Sequence, residues 1–456
     1  MQGVTAAGAG EVRVRAGVGG AASAAVEHVG HHRCVVLRVD ATLRAGSLTP
    51  SDSATIAEAA RMALSYHLPL VGLLASGGAA VDEGIDALHA WGLAARALAG
   101  CSGVVPVVLV VLGPAVSGPA LLLGLADAVV MTPDSYAFVS GPAMVGQLTG
   151  VEIDVDRLGG ADVHARRTGV TALEAEDPEH ARQLAGELLD FLPGHSDEAP
   201  PRLPTSDPAG RPCPELRNVV PDNPTGSYDV RRVVATVLDQ DHHFLEIRAR
   251  WATQLVTGLG RLAGQAVGIV ANQPQTMAGT LDIAASHKGA RFVAFCDAFG
   301  LPIITFVDTP GFLPGKDIEW RGMIRHGAQL AFAYAEACVP RLCVVLRKAY
   351  GGAYIVMDSR TMGSDLCLAW PSAEVAVMGA KGAVQILHRR ATPEEAAVLE
   401  DDYAEAYLTP WIAAERGLLD AVIDPAQTRR VLAATLAGTA SKRERVLGRK
   451  HSNTPL

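Results

Sequence analysis

Three short turns hold residue types at spacings that could do chemistry: Ser76-Gly77-Gly78-Ala79, Gly113-Pro114-Ala115-Val116-Ser117-Gly118 and Lys348-Ala349-Tyr350-Gly351-Gly352-Ala353-Tyr354. Each follows an apolar run. Small residues where a strand passes into a helix leave backbone N–H groups unobstructed, and two such groups converging on one oxygen form an oxyanion hole. Holding an enolate oxygen is a natural use. A single glycine pair is more commonly a packing device that permits helix–sheet contact or positive φ. Three turns at matching places in a repeat favour the functional reading.

Other chemistries lack their residues. Neither a Gly-x-Gly-x-x-Gly fingerprint nor a Walker lysine pattern is present, and no Gly-x-Ser-x-Gly elbow offers a serine nucleophile. The fourteen histidines include His31-His32 and His242-His243, but neither pair has a partner at metal-ligand spacing. No metal site is expected. The seven cysteines form no Cys-x-x-Cys pair and sit mostly in apolar runs, which signals neither a zinc ribbon nor a disulfide framework.

The elements that must position the turns come in two similar sets. Leu68-Pro69-Leu70-Val71 resembles Leu301-Pro302-Ile303-Ile304, Val105-Pro106 resembles Val339-Pro340, and Ser117-Gly118 resembles Gly351-Gly352, each about 233 residues apart. The chain reads as a duplicated domain. Between the halves stand Pro200, Pro201, Pro204, Pro208, Pro212, Pro214, Pro221 and Pro224, a density that excludes both helix and central strand. The expected organisation is an N-terminal domain over 1–195, a Pro-rich linker or surface strap over 196–227, and a C-terminal domain over 228–456.

Within each half, apolar strands alternate with helices through glycine-rich turns, which implies an α/β fold on a buried, mostly parallel sheet. In the second half the pattern predicts a helix over 286–299 closed by Gly300 and a strand over 303–307 leaving through Asp308-Thr309-Pro310-Gly311. Thr392-Pro393-Glu394-Glu395 and Asp424-Pro425-Ala426-Gln427 each place a capping side chain, a first-turn proline and Glu or Gln three residues on, so both open closing helices.

Composition agrees. Hydrophobic residues make up 49 % but aromatics only 5 %, so Ala, Val, Leu and Ile must fill the core against 47 glycines. The mean hydropathy of +0.21 is high, which implies either membrane insertion or apolar surface hidden in an oligomer. No charge stands between Arg96 and Asp127, long enough to span a bilayer. Its glycines and prolines instead predict a buried strand over 104–112, a glycine turn and an apolar helix around Leu121–Leu125. A net charge of −9 offers no basic stripe for nucleic acid, and the basic stretch 442–450 is short and mixed. No export signal opens the chain, and cytoplasm is the expected location.

Several segments closely resemble the carboxyltransferase (β) subunits of biotin-dependent acyl-CoA carboxylases, of the propionyl-CoA and acetyl-CoA carboxylase type. They are Ala271-Asn272-Gln273-Pro274, Ala278-Gly279-Thr280-Leu281-Asp282, Val307-Asp308-Thr309-Pro310-Gly311-Phe312-Leu313-Pro314-Gly315 and Arg347-Lys348-Ala349-Tyr350-Gly351-Gly352-Ala353-Tyr354. Leu368-Ala369-Trp370-Pro371, Ala376-Val377-Met378-Gly379-Ala380 and the tail Arg449-Lys450-His451-Ser452-Asn453-Thr454-Pro455-Leu456 add to them, and the likeness runs from about Asp40 onward.

The resemblance implies two tandem crotonase-type (ClpP/crotonase) ββα-spiral domains. It also implies an active site shared between the N-terminal domain of one subunit and the C-terminal domain of another, in a hexamer built as a trimer of dimers. By the same likeness Ser117 and Gly118, with Gly78 and Ala79 nearby, hold the thioester oxygen, and Gly77 and Gly141 join Gly78 and Ala79 in binding the acyl-CoA substrate. Gly352 and Ala353 hold the ureido oxygen of carboxybiotin, with Gly351, Tyr354, Met378, Gly379 and Ala380 lining the cofactor side. Ile355 lines the acyl pocket, where propionyl-preferring relatives often carry Asp. The cofactor is biotin, carried by a partner biotin carboxylase/biotin carrier (α) subunit, and the substrate is a short acyl-CoA. On this likeness carboxybiotin releases CO₂ by breaking its N–carboxyl bond, the freed ureido nitrogen takes the α-proton and the enolate captures the CO₂, which fits the lack of an acid–base pair in the turns. Two departures bear on CoA contacts and substrate identity: Ser117 stands where the family usually has glycine, and Ala80 where it has arginine. The alternatives are a biotin-linked decarboxylase or transcarboxylase subunit, running the same holes in reverse, and a catalytically silent scaffold.

Overall fold

The computed structural model describes residues 13–14, 20–221, 223, 225–442, 444, 448 and 451–455; Pro224 of the expected linker and Arg449, Lys450 and Leu456 of the C-terminal motif lie outside the described residues. Two compact units divide between Ala199 and Pro200.

In the first unit, β1 (Arg13–Val14), β2 (Ala22–Val29) and β3 (His32–Val39) form an antiparallel ladder. The sheet continues in parallel through β4 (Leu70–Ser76), β5 (Val107–Val116) and β6 (Ala128–Met131), with β7 (Tyr136–Phe138) on the far end of β5 and β8 (Leu173–Glu174) on β6. Helices α1 (Pro50–Tyr66), α2 (Gly84–Ala99), α3 (Pro142–Thr149) and α4 (Pro178–Leu189) connect and cover the strands. The α1 start is written locally: Thr49 and Asp52 cap each other's backbone N–H groups, and Pro50 supplies the first helical residue.

The second unit repeats this order. An antiparallel ladder of β9 (Leu245–Glu246), β10 (Leu255–Leu262) and β11 (Gln265–Asn272) passes into parallel β12 (Ile303–Thr309), β13 (Arg341–Tyr350) and β14 (Leu366–Ala369). Then β15 (Glu374–Ala376) joins β13 and β16 (Ala421–Val422) joins β14. Its helices include α5 (Ile283–Ala298), α6 (Met323–Glu336), α7 (Gly351–Ile355), α8 (Ala380–Leu387), α9 (Pro393–Tyr407) and α10 (Thr428–Thr439). The duplication reaches the ladder register. Leu74 pairs with Val111 but Ser76 with Ala115, and Val307 pairs with Val345 but Thr309 with Ala349. The same irregularity in both halves bends β5 and β13 where the glycine turns begin.

Some expected boundaries move. The helix read over 286–299 starts at Ile283, because the Asp282 carboxylate accepts the Ala285 N–H at 2.7 Å. The strand read over 104–112 is β5, which runs across Gly113-Pro114 to reach β7. The apolar helix read around Leu121–Leu125 is a 3₁₀ helix over Gly118–Leu125. Among the described residues no helix is long and apolar enough to cross a membrane. Thr392 and Glu395 form the anticipated capping box, while Asp424 caps a 3₁₀ turn that leads into α10.

The proline-rich stretch from 200 onward belongs to the second unit and packs on it. Cys213 and Leu216 lie in that unit's core, and the Arg211 guanidinium bonds the Asp207 carboxylate and the carbonyls of Thr236 and Leu238. Each core is aliphatic, with Val35, Leu37 and Leu109 in the first unit and Val267, Ile269 and Leu342 in the second. Burying such a side chain contributes about 1.5–3 kcal/mol. The buried Trp370 satisfies its indole N–H on Thr428 Oγ1 at 3.0 Å.

Candidate active site

In the first unit, β4 ends at Ser76, whose hydroxyl donates to the Gly46 carbonyl at 2.9 Å and accepts the Gly78 N–H at 3.2 Å. The Gly77 N–H donates to the Ala45 carbonyl at 2.9 Å. Both glycine N–H groups are therefore engaged within the protein, which corrects the reading of Gly78 as a direct donor to the thioester oxygen. Just beyond, Leu48 pairs with Ala79 in a parallel bridge whose bonds run from the Leu48 N–H to the Gly78 carbonyl and from the Ala80 N–H to the Leu48 carbonyl. A parallel bridge bonds the neighbours of the paired residue, so the Ala79 N–H points to the opposite edge.

The exit of β5 supplies the adjoining wall. Ser117 takes φ 65° and ψ −157°, and its N–H donates to the Phe138 carbonyl at 2.9 Å. This corrects the expectation that Ser117 offers its N–H to a thioester. Pro119 has no N–H, so Gly118 is the donor left at the opening of this 3₁₀ helix. The two loops touch: a Cβ on Gly78 would lie 3.0 Å from the Ser117 Cβ. A Cβ on Gly118 would meet the Trp91 ring at 3.1 Å, so the indole packs beneath the glycine.

The second unit repeats the device. Leu281 pairs with Phe312 through bonds from the Leu281 N–H to the Gly311 carbonyl and from the Leu313 N–H to the Leu281 carbonyl, which turns the Phe312 N–H outward. Gly351, at φ 61°, opens α7, and the exposed Gly352 follows. As first-turn residues Gly352 and Ala353 have no intrahelical acceptor for their N–H groups. A Cβ on Gly352 would sit 3.6 Å from the Phe312 ring, beside a cleft of about 430 Å³ that Ile355, Met323, Ile324 and Glu319 also line.

Motif residues brace these exits. The buried Asp308 carboxylate accepts the Tyr228 hydroxyl at 2.9 Å, Arg347 Nε at 3.1 Å and the Lys348 N–H at 3.1 Å. Burial pushes the Asp308 carboxyl above its usual range, and the Arg347 cation partly offsets this. Arg347 also donates to the Gly226 carbonyl at 2.6 Å. Asn272 accepts the Asp308 N–H and donates to the Gly279 carbonyl, tying the ends of β11 and β12 together.

The remaining expected residues fall into two groups. Gly141 and Gly379 are the N-caps of α3 and α8 in the two repeats, where a Cβ would press on the Phe138 and Tyr350 rings at 3.2 and 3.3 Å. Met378 and Ala380 flank the second cap and are half-buried. Tyr354, expected on the cofactor side, is buried with its hydroxyl 3.8 Å from Cys367 Sγ, because the helical turn from Gly352 rotates it into the core. Ala353 likewise faces inward and has only its backbone to offer. Ala79 is already expected on the acyl-CoA side, whereas Phe312 as an N–H donor, Trp91 beneath Gly118 and the Tyr228–Asp308 strut are not visible as spacing, although Asp308 and Phe312 lie in a motif of the family resemblance. His31-His32 does have a partner, Asp190, from the end of α4.

The carboxyl transferase domain family matches residues 23–454. The chain belongs to the carboxyl transferase family. This carboxyltransferase is 42 % identical over 418 residues to the methylmalonyl-CoA decarboxylase subunit alpha of Veillonella parvula, spanning 91 % of this chain and 82 % of the relative. It is equally 42 % identical over 424 residues to the propionyl-CoA carboxylase beta chain of Roseobacter denitrificans, at 92 % and 83 %. Among solved structures, a transcarboxylase 12S hexamer with methylmalonyl-coenzyme A bound superposes with a TM-score of 0.93 at 41 % identity, covering 96 % of this chain and 85 % of that one. Each unit of this carboxyltransferase is thus a crotonase-type spiral.

Proposed function

We propose that this carboxyltransferase moves a carboxyl group from carboxybiotin to the α-carbon of a short-chain acyl-CoA, acetyl to butyryl, through an enolate. The observation that carries the reading is the duplicated donor pair: an outward N–H at a strand exit, Ala79 or Phe312, adjoining a helix-start glycine, Gly118 or Gly352. A thioester gathers charge on one oxygen as its α-proton leaves, and a preorganised donor of this kind contributes about 3 kcal/mol. Ala79 and Gly118 hold that oxygen; Phe312 and Gly352, with Ala353, hold the ureido oxygen. Carboxybiotin, when bound, supplies the carboxyl group and the base for the α-proton. The apolar cleft beside Gly352 suits a flat bicyclic ring with one polar urea face, and Ile355 on its wall contacts the acyl chain.

A biotin carboxylase/biotin carrier subunit supplies the loaded cofactor, and six copies of this chain assemble as in the solved transcarboxylase core. The seven free cysteines accord with a cytoplasmic location. The test is carboxylation of acetyl-, propionyl- and butyryl-CoA by the chain with a biotinylated partner, ATP and bicarbonate, alongside decarboxylation of the corresponding malonyl esters. Forward turnover of a short acyl-CoA is expected. Turnover in the reverse assay alone would replace the reading with the decarboxylase one, and none in either would leave the scaffold.

A further inference from the structure

We infer that His31, His32 and Asp190 form a surface site for a first-row divalent transition metal such as Zn²⁺. The turn between β2 and β3 is only Gly30 and His31, and Gly30 takes φ 59°. The C-terminal end of α4 packs directly on it: a Cβ on Gly186 would lie 3.5 Å from the Gly30 nitrogen. Glycine on both sides allows this approach, and it brings Asp190 across 158 residues of sequence to the histidine pair.

The donor atoms converge. Asp190 Oδ1 lies 2.7 Å from His32 Nε2 and 3.5 Å from His31 Nε2, and all three ligand atoms fall within 4.8 Å of one another. The two imidazole rings lie 3.9 Å apart between centroids and tilt by 36°, so both present Nε2 toward the same carboxylate oxygen. An ion bound at about 2.0–2.2 Å by each ligand requires donors roughly 3–3.5 Å apart. The Asp190–His31 separation already meets that, and the Asp190–His32 contact must open by a few tenths of an ångström. The His31 side chain is 76 % exposed, free to adjust and open to water on its outer side.

Two imidazoles and one carboxylate select Zn²⁺, Co²⁺, Ni²⁺ or Cu²⁺ over Mg²⁺ and Ca²⁺, which prefer all-oxygen shells. Nearby, Arg182 donates to the His28 carbonyl and lies 3.9 Å from Glu27, so its charge is held by other partners. The bound ion joins the first hairpin to the helix that closes the first unit. It lies outside the residues assigned to carboxyl transfer.

The test uses the untagged full chain stripped with EDTA. Titrated Co²⁺ is expected to give visible d–d bands saturating at one ion per chain, displaced by Zn²⁺ but not by Mg²⁺. Zn²⁺ is expected to raise the melting temperature, since an ion that binds only the folded chain shifts folding by mass action. His31→Ala, at an exposed position where folding is unaffected, should weaken Co²⁺ binding beyond the roughly 10–100-fold that outer-shell partners cost, and Asp190→Asn should act likewise. Carboxyl transfer should be unchanged in His31→Ala, so failure of the metal site and failure of the carboxyltransferase reading are separable. No stoichiometric Co²⁺ band, or equal binding in wild type and both variants, overturns the site.

Discussion

Ser117 and Gly351 stand at the same point of the two repeats, at the end of β5 and of β13, and share a positive φ of 65° and 61°. With ψ at −157°, Ser117 occupies backbone space that is essentially reserved for glycine. Holding a side chain there costs on the order of 1–3 kcal/mol. Glycine returns about 0.5–1 kcal/mol of that through the freedom it adds to the unfolded chain. Ser117→Gly is therefore expected to stabilise the protein by about 1 kcal/mol. Urea unfolding at constant m-value measures this, and an unchanged or lower midpoint would show that the surrounding contacts have already absorbed the strain.

Gly352→Val should abolish carboxyl transfer while leaving assembly intact. The exposed Gly352 has only the Phe312 ring within 4 Å of its added Cβ, so a larger side chain fits the fold but fills the cleft beside the N–H groups. Loss of one such donor corresponds to about 10²–10³ in kcat. Turnover assays with sedimentation on the same sample check both halves, and retained activity would remove Gly352 from the site.

Ile355 is 40 % exposed on the cleft wall. An apolar wall separates acyl chains differing by one methylene by only about 1–3 kcal/mol. A graded preference is expected, and Ile355→Asp should reorder kcat/KM among acetyl-, propionyl- and butyryl-CoA. An unchanged order in both proteins would mean that the acyl group lies elsewhere.

Lys288 is buried, and its ammonium donates to the carbonyls of Arg248 and Trp251 at 2.9 and 2.8 Å. Burial pushes its pKa down to about 7. An unfolded chain with an ordinary lysine binds more protons from there up to about 10.4. Stability should therefore rise with pH across that window, by up to about 1.4 kcal/mol per unit, and level off at its lower value below about pH 7, where both states hold the proton. Lys288→Met, in which the Trp251 carbonyl loses the ammonium and the Arg248 carbonyl keeps only the Trp251 N–H, should flatten the rise between pH 7 and 9. Parallel slopes in denaturant titrations of the two proteins would contradict this assignment.

Much of the fold was legible because its causes are local or periodic. The offset between Leu-Pro strand starts announced the duplication, and the Thr392 capping box marked α9. Asp282 was missed as a cap since its partner is a backbone N–H and no acidic residue follows at the third position. The ends of β5 lay beyond reach for another reason: its ladder crosses Gly113-Pro114 only because β7 pairs with it there.

The sequence by itself determined the aliphatic α/β core, the twofold repeat, the glycine turns and, through long ordered motifs, the family. Only the tertiary structure decided which N–H groups of those turns remain free. Gly77, Gly78 and Ser117 donate to Ala45, Ser76 and Phe138, while the bridges at Leu48 and Leu281 turn Ala79 and Phe312 outward. A hydrogen-bond direction depends on which distant strand or loop lies alongside, and residue type carries no record of that. The same reason hid Asp190 from His31-His32 and Tyr228 from Asp308: each pair meets only after the chain has folded back on itself.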